Sequence, residues 1–207
     1  LTSFPNTAAS EVKKAFLGLK EKHHIKGLIL DLRDNGGGLI DEAIKIVNFF
    51  VPAGEEVVTT RGRNARLQET IYKTTDKPLD TEIPLTVLIN AQSASSSEIV
   101  SGALQDLDRA VVMGVKSYGK GLVQTTMQLP YDGTIKLTTA KYYIPSGRCI
   151  QRIDYHSLRE GKGATILPDS LTKVFHTRAG REVRDAGGIL PDITLPVDTL
   201  PTMVYYL

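Results

Sequence analysis

Twice along this chain, a short apolar run is followed by a tight turn and then by apolar residues at helical spacing. The first run covers residues 27–32, and residues 40–47 resume helical spacing after a glycine-rich turn. The second run covers residues 85–90, and residues 99–107 follow a serine-rich turn in the same way. Each unit predicts a buried strand, a turn and an amphipathic helix. We therefore expect an α/β fold.

Two neighbouring segments continue this pattern. Residues 7–22 place apolar side chains at the i, i+3, i+4 and i+7 spacing of an amphipathic helix, with Asn6 or Thr7 as its cap. Residues 110–114 predict a third strand. The core is thus expected to consist of alternating strands and helices.

Two other segments predict antiparallel strands added to this core. Residues 55–73 are rich in Val, Thr, Ile and Tyr, which favours a hairpin or a pair of exposed strands. Residues 122–129 and 134–143 flank Asp132-Gly133, a pair that favours the positive φ values of a hairpin turn.

The composition is that of a globular protein. With 207 residues, 41% of them hydrophobic, the chain can bury a substantial core. Residues 145–207 lose the regular patterning, so we expect an irregular region packed on that core within a single domain of residues 1–207. The chain begins at Leu1 without a methionine, and we expect it to be part of a longer protein.

Charge and cysteine content exclude several classes of partner and site. The 25 basic and 23 acidic residues are scattered along the chain and give a net charge of +2, so we expect no nucleic-acid partner. The single cysteine, Cys149, excludes an internal disulfide framework and a cysteine-built zinc site.

The serine-rich turn lies between a predicted strand and a predicted helix. Backbone N–H groups at a helix N-terminus can stabilise a developing oxyanion, so Ser95 in this turn is well placed to attack a carbonyl. However, Ser95 and Glu98 also fit the capping-box pattern, which needs no catalytic role. The turn alone is compatible with both interpretations.

Lys120 lies in a second turn, Ser117-Tyr118-Gly119-Lys120-Gly121. Residues 114–120 nearly match a phosphate-binding P-loop, but that motif needs Ser or Thr after the lysine and then a helix, whereas Gly121 precedes a predicted strand. An ordinary solvated lysine is the other explanation. Taken together with Ser95, Lys120 suggests a serine hydrolase whose general base is an amine.

The glycine-rich turn at residues 36–38 has its own alternatives. A dinucleotide-binding motif would need glycine at position 41, which is Asp41. Three glycines before a helix allow the backbone to approach a ligand and aim an N–H at it, as an oxyanion hole requires. A simple tight turn explains the glycines equally well.

Other candidate chemistries are weaker. The four histidines show no metal-ligand spacing, and we predict no metal or cofactor. No G-x-S-x-G motif is present, which disfavours a triad hydrolase of that type. Asp106 and Asp108 are expected to cap a helix, pair with Arg109 or face water.

Five motifs follow one another along the chain: Leu30–Leu39, Ser93–Glu98, Tyr118–Gln124, Leu137–Arg148 and Gly188–Asp192. In this order they resemble the carboxyl-terminal processing, or tail-specific, proteases of the S41 serine peptidase family. The resemblance covers about residues 25–193, and several motifs in one order are far more specific than any single motif.

The resemblance implies a ClpP/crotonase-like core and endoproteolysis near the carboxyl termini of protein substrates. The family's nucleophile falls on Ser95, its lysine base on Lys120, and the glutamine that orients the lysine on Gln124. The oxyanion hole would use the backbone N–H groups of Gly38 and Ser96. Ser96 replaces the usual alanine, but a main-chain N–H is all that is required of it, so activity should survive.

In this mechanism Lys120 must be uncharged to take the Ser95 proton, a state that desolvation favours. The resemblance further implies protein or peptide substrates with a carboxyl terminus, a PDZ domain upstream that is absent here, and a periplasmic or cell-envelope location. The resemblance is also compatible with homo-oligomers. Two alternatives share this fold: a non-catalytic binding or scaffold domain, and a crotonase-type acyl-CoA enzyme.

Overall fold

The computed structural model describes residues 1–63, 69–155, 165–166 and 172–196. Within these residues there are three helices and twelve strands. The helices are α1 (Ala8–Lys22), α2 (Ile40–Asn48) and α3 (Ser96–Asp106). The strands are β1 (Leu28–Asp31), β2 (Glu56–Gly62), β3 (Glu69–Lys73), β4 (Leu85–Ile89), β5 (Val111–Gly114), β6 (Leu122–Gln128), β7 (Thr134–Tyr143), β8 (Ile153–Asp154), β9 (Thr165–Ile166), β10 (Val174–His176), β11 (Glu182–Arg184) and β12 (Ile193–Thr194).

A parallel sheet with the order β1-β4-β5-β12 forms the centre of the fold. Both predicted strand-turn-helix units are confirmed, because β1 leads into α2 and β4 leads into α3. Parallel neighbours place their carboxyl ends at the same edge of the sheet. The glycine turn after β1 and the serine turn after β4 therefore meet at that edge.

The hydrophobic core lies between this sheet and the helices. Leu30, Val87 and Val112, one from each of three adjacent strands, are buried against apolar residues of all three helices. The predicted first helix is confirmed, with Thr7 at its N-cap. No helix in the described ranges is long and apolar enough to span a membrane.

A second, antiparallel sheet has the order β3-β2-β7-β6, and it confirms both predicted hairpins. β2 and β7 join the hairpins, with Thr60 opposite Tyr142. The turn between β6 and β7 differs by one position from the prediction, because Tyr131 and Asp132 adopt positive φ (61° and 57°) and Gly133 does not. The Asp132-Gly133 pair correctly indicated a hairpin, but it did not indicate which residues adopt the left-handed conformation.

The region after residue 145 contains short strands separated by loops. Its residues 156–164, 167–171 and 197–207 lie outside the described residues. Ile150 and Ile189 are fully buried in the main core, so parts of the region pack on it.

The prediction that Asp106 and Asp108 cap a helix, pair with Arg109 or face water is wrong. Asp106 is buried and pairs with Arg148 at 2.9 Å, and Asp108 pairs with Arg181 at 2.7 Å. Arg109 instead donates to backbone carbonyls. Residues after 145 cover the C-terminal end of α3, and the sequence pattern did not indicate which element they would cover.

Candidate active site

Ser95 lies at the N-terminus of α3, in the turn that follows β4. Its φ of 57° and ψ of −116° lie in a region that side-chain-bearing residues rarely adopt. Such a conformation persists only where neighbouring contacts hold it. Glu98 N–H and Ile99 N–H both donate to the Ser95 carbonyl oxygen, at 2.8 and 3.0 Å. The helix itself therefore holds Ser95 in this conformation.

The glycine turn after β1 packs directly against the serine turn. Ala94 N–H donates to the Asn35 carbonyl oxygen at 3.0 Å, and Gly37 N–H donates to Asn35 Oδ1 at 2.9 Å. Gly37 has a φ of +97°, and a Cβ placed there would lie 2.7 Å from both the Ala94 carbonyl oxygen and Ser95 Cβ. Glycine at position 37 therefore allows the two turns to touch.

Two backbone N–H groups at this contact have no hydrogen-bond acceptor among the residues described. They belong to Gly38 and Ser96, and Ser96 is the first residue of α3, where an N–H has no partner within the helix. Ser96 Oγ donates to the Gly38 carbonyl oxygen at 2.9 Å, which ties the two residues together. The glycine turn and the first residue of α3 are therefore linked through the Ser96 side chain, and both N–H groups stay unpaired within the described residues.

Buried Glu98 connects the nucleophile turn to the lysine turn. Its Oε2 accepts Ser95 N–H and Lys120 N–H, both at 2.9 Å. Its Oε1 accepts the Ser117 hydroxyl at 2.6 Å and Gly119 N–H at 2.7 Å. Burial raises the pKa of the Glu98 carboxyl, and these four hydrogen bonds oppose that shift. One carboxyl group thus sets the distance between the main chains of Ser95 and Lys120.

Ser95 and Lys120 line the same cavity, of about 530 Å³, together with Gln124 and Gly38. Ser96 is fully buried and does not line this cavity. The Ser95 and Lys120 side chains are half-buried and Gln124 is exposed. No direct hydrogen bond joins the Ser95 hydroxyl, the Lys120 amine and the Gln124 amide in this structure. The structure thus brings four of the five predicted site residues to one cavity.

A second cavity, of about 340 Å³, adjoins the first. Lys120, Leu122 and Gln124 line both, so they form the boundary between the two. The second cavity continues to Gln151 and Tyr155. The two cavities therefore meet at Lys120.

Sequence reasoning missed two residues of this site. Glu98 was considered only as part of a capping box, although the same pattern places its carboxyl next to Ser95. Tyr142, on β7, lines the cavity and is 1% exposed. No local signal identified Tyr142, because it reaches the site only through the pairing of β7 with β6 and β2.

Metal ligation is not supported by the part of the chain that the structure describes. No group of three or more His, Cys, Asp or Glu side chains there is arranged to hold a metal ion.

The fold and the site together define the class of protein. Strand-helix units with added antiparallel strands place a serine at a helix N-terminus against a glycine turn, as expected for the ClpP/crotonase-like class. A solved structure, the photosystem II D1 C-terminal processing protease, matches 99% of this chain and 43% of its own, with a TM-score of 0.71 and 27% identity. The expected α/β fold class is confirmed.

Within that class, the chain belongs to peptidase family S41, whose profile matches residues 1–157. A carboxy-terminal-processing protease of Bartonella bacilliformis is 45% identical over 158 residues, which cover 74% of this chain and 36% of that protein. A probable CtpA-like serine protease of Staphylococcus aureus is 38% identical over 170 residues, which cover 82% of this chain and 32% of that protein. The chain spans about a third of the length of these relatives.

Proposed function

We propose that this protein is a serine endopeptidase that cleaves protein substrates near their carboxyl termini. The observation that carries the proposal is the convergence of Ser95, Lys120, Gln124 and Gly38 on one cavity, in a chain that belongs to a peptidase family. Relatives named as carboxy-terminal-processing proteases support the choice of substrate.

In the proposed reaction, the uncharged Lys120 amine takes the hydroxyl proton of Ser95 while Ser95 Oγ bonds to the peptide carbonyl carbon. The carbonyl oxygen becomes an oxyanion, which Gly38 N–H and Ser96 N–H stabilise. Lys120 then gives its proton to the leaving amine as the C–N bond breaks. Water, deprotonated by Lys120, releases the acyl group and restores Ser95. Gln124 would orient the amine.

Several properties of the whole protein are part of this proposal. We place the enzyme in the periplasm or cell envelope, with a PDZ domain upstream that binds substrate carboxyl termini. Residues 1–207 would form one catalytic domain, and homo-oligomers are compatible with it. The reaction as written uses only groups of this chain and water.

The first prediction tests the two reacting groups. Ser95→Ala and Lys120→Ala should each lower cleavage of an unstructured protein such as casein by at least about 10³-fold, because neither step proceeds without nucleophile or base. Lys120→Arg should fail as well, since a guanidinium cannot supply a neutral base. Lys73→Ala, an exposed lysine on β3, is the matched control and should keep full activity.

Labelling with a fluorophosphonate separates this proposal from its alternatives. An active serine hydrolase is labelled at Ser95 and cleaves casein. A scaffold domain does neither, and a crotonase-type enzyme would not depend on Lys120. Cleavage by Ser95→Ala or Lys120→Ala at the wild-type rate would refute the assignment.

A further inference from the structure

Strand β6 lies at the edge of the second sheet. In the order β3-β2-β7-β6 it pairs with β7 on one side, and among the described residues no strand pairs with its other side. An edge strand presents a row of main-chain N–H and C=O groups with which another chain can pair. The register of β6 with β7 shows which residues carry these groups.

Both ends of the β6–β7 ladder show the same alternation. Leu129 N–H donates to the Gly133 carbonyl oxygen at 2.7 Å, and Tyr142 N–H donates to the Gly121 carbonyl oxygen at 3.0 Å. In an antiparallel ladder, hydrogen-bonded pairs recur at every second position, and the residues between them turn their N–H and C=O groups away from the partner strand. Four residues of β6 therefore form its outer edge with these main-chain groups: Leu122, Gln124, Thr126 and Gln128.

The outer edge of β6 lacks the features that usually prevent an edge strand from pairing. Charged side chains, proline and bulges in the edge strand are the common ones. Residues 122–128 contain neither a charged residue nor a proline, and the irregularity near Val123 places its extra residue, Thr139, on β7. Residues 124–128 are exposed. The outer edge of β6 is therefore suited to accept another strand.

This edge begins at the candidate active site. Its first two residues, Leu122 and Gln124, line both cavities, and Lys120 lines both as well. Ser95 lines the larger of the two. The outer edge of β6 is therefore continuous with the cavity that Ser95 and Lys120 share.

We propose that the outer edge of β6 binds the substrate, as an extended polypeptide segment that pairs with it as an added strand. This inference rests on the proposed function of Ser95 and Lys120. Strand addition derives its affinity from main-chain hydrogen bonds. The pairing leaves the Gln124 side chain free for its proposed role beside Lys120.

Main-chain pairing defines a class of substrate. Main-chain groups are the same in all residues except proline, so the pairing selects unfolded segments and not particular side chains. It requires a free N–H at every second residue of the segment, because alternate residues of a strand face its partner. Proline or an N-methyl group at those residues should therefore oppose binding.

N-methylated peptides test the pairing from the substrate side. A casein-derived peptide that the full chain cleaves is methylated at one main-chain nitrogen at a time, outside the two residues of the scissile bond. We expect kcat/KM to fall about 10-fold at every second residue and to stay within about twofold at the residues between them. A loss without this alternation, or no loss at all, would overturn the inference.

A proline substitution tests the pairing from the side of the enzyme. Thr126→Pro removes an N–H of the outer edge, which an edge strand tolerates because that group does not bond to β7. We expect KM for casein to rise about 3- to 10-fold with kcat within about twofold, as for one lost hydrogen bond to the substrate. Fluorophosphonate labelling of Ser95 should keep the wild-type rate, since that reagent has no polypeptide chain to pair.

Thr134→Pro is the matched control. Thr134 lies opposite Gln128, is equally exposed, and turns its N–H away from β6 toward the other edge of the same hairpin. This variant should match the wild type in KM and in labelling rate. An equal rise of KM in Thr134→Pro would show that the effect comes from weakening the hairpin, and would overturn the inference.

The remaining outcomes are also distinguishable. An unchanged KM in Thr126→Pro, or slower labelling of its Ser95, counts against strand addition. A concentration-dependent dimer that Thr126→Pro dissociates without a change in KM would assign the edge to a second copy of the chain instead. If Thr126→Pro does not fold, the N-methylated peptides decide the question with the wild type alone. Failure of the wild type to react at Ser95 would instead refute the proposed function.

Discussion

At the scale of single residues, the site depends on how closely two turns approach each other. Gly37 makes the tightest contact between them, with Ser95 in an unusual backbone conformation on the other side. By contrast, a Cβ added to Gly36 would meet nothing within 4 Å. Adjacent glycines of one turn thus have very different tolerance for a side chain.

This difference predicts opposite outcomes for two alanine substitutions. Gly37→Ala should destabilise the fold by about 1–3 kcal/mol, because of its positive φ and the clash with the Ala94 carbonyl oxygen, and should slow Ser95 labelling further than stability explains. Gly36→Ala should change both the stability and the labelling rate by little. Urea unfolding and fluorophosphonate labelling measure the two effects, and equal behaviour of the two variants would contradict the packing argument.

At the scale of elements, α1 is held to the body by both apolar and charged contacts. Phe16 packs edge-on against Phe50, with ring centroids 5.6 Å apart, and Lys20 pairs with Asp80 at 2.7 Å. Asp80 also accepts two backbone N–H groups in the loop before β4. The hydrogen bond from Lys20 is the largest cause that lowers the pKa of Asp80 to about 2.

The Lys20–Asp80 pair should therefore make a pH-dependent contribution to the free energy of unfolding. Because the pKa of Asp80 is about 2 in the folded state and 3.8 ordinarily, the stabilisation is complete above about pH 4 and is lost as the pH falls through 2. Lys20→Met should cost about 0.5–1 kcal/mol at pH 7, as for other exposed ion pairs, and nothing once Asp80 is protonated. Lys22→Met, on the same helix, is the control. Urea unfolding at pH 7 and near pH 2 measures the loss of unfolding free energy in Lys20→Met. An equal loss at both pH values would show that the ionisation of Asp80 is not involved.

At the scale of the whole molecule, a buried ion pair connects the region after residue 145 to the active-site helix. Arg148 is fully buried and contacts Asp106 at 2.9 Å and Gln105 Oε1 at 2.7 Å, both on α3. Burial raises the pKa of Asp106, and the charge of Arg148 opposes that shift. Removing only one partner would leave a charge without compensation in the interior.

A double-mutant cycle tests this connection. Arg148→Met should destabilise the protein by about 3–5 kcal/mol, because Asp106 loses its counter-charge. Adding Asp106→Leu should recover most of that loss, since apolar groups often replace a buried pair at little cost. Urea unfolding of the two single variants and the double variant gives the coupling energy, and additive losses would show that the pair does not act as a unit.

Much of the architecture was predictable from local sequence patterns. Hydrophobic periodicity placed α1 and both strand-turn-helix units, because burial of one face imposes a period on nearby residues. Composition and the Asp132-Gly133 pair placed the hairpins. The order of the motifs identified Ser95, Lys120, Gln124, Gly38 and Ser96 as candidates. The glycine turn with Gly38 and the serine turn with Ser95 and Ser96 meet at one sheet edge because β1 and β4 are parallel neighbours.

The tertiary structure alone decided the connections between distant segments. The three hydrogen bonds from the lysine turn to Glu98, the position of Tyr142 in the cavity lining and the burial of Asp106 by Arg148 join residues on different elements. Such contacts depend on how whole sheets and loops pack, and a periodic pattern records only whether a residue is buried, not what it meets. The sequence by itself therefore determined the fold class and the candidate residues, and packing determined how those residues are held.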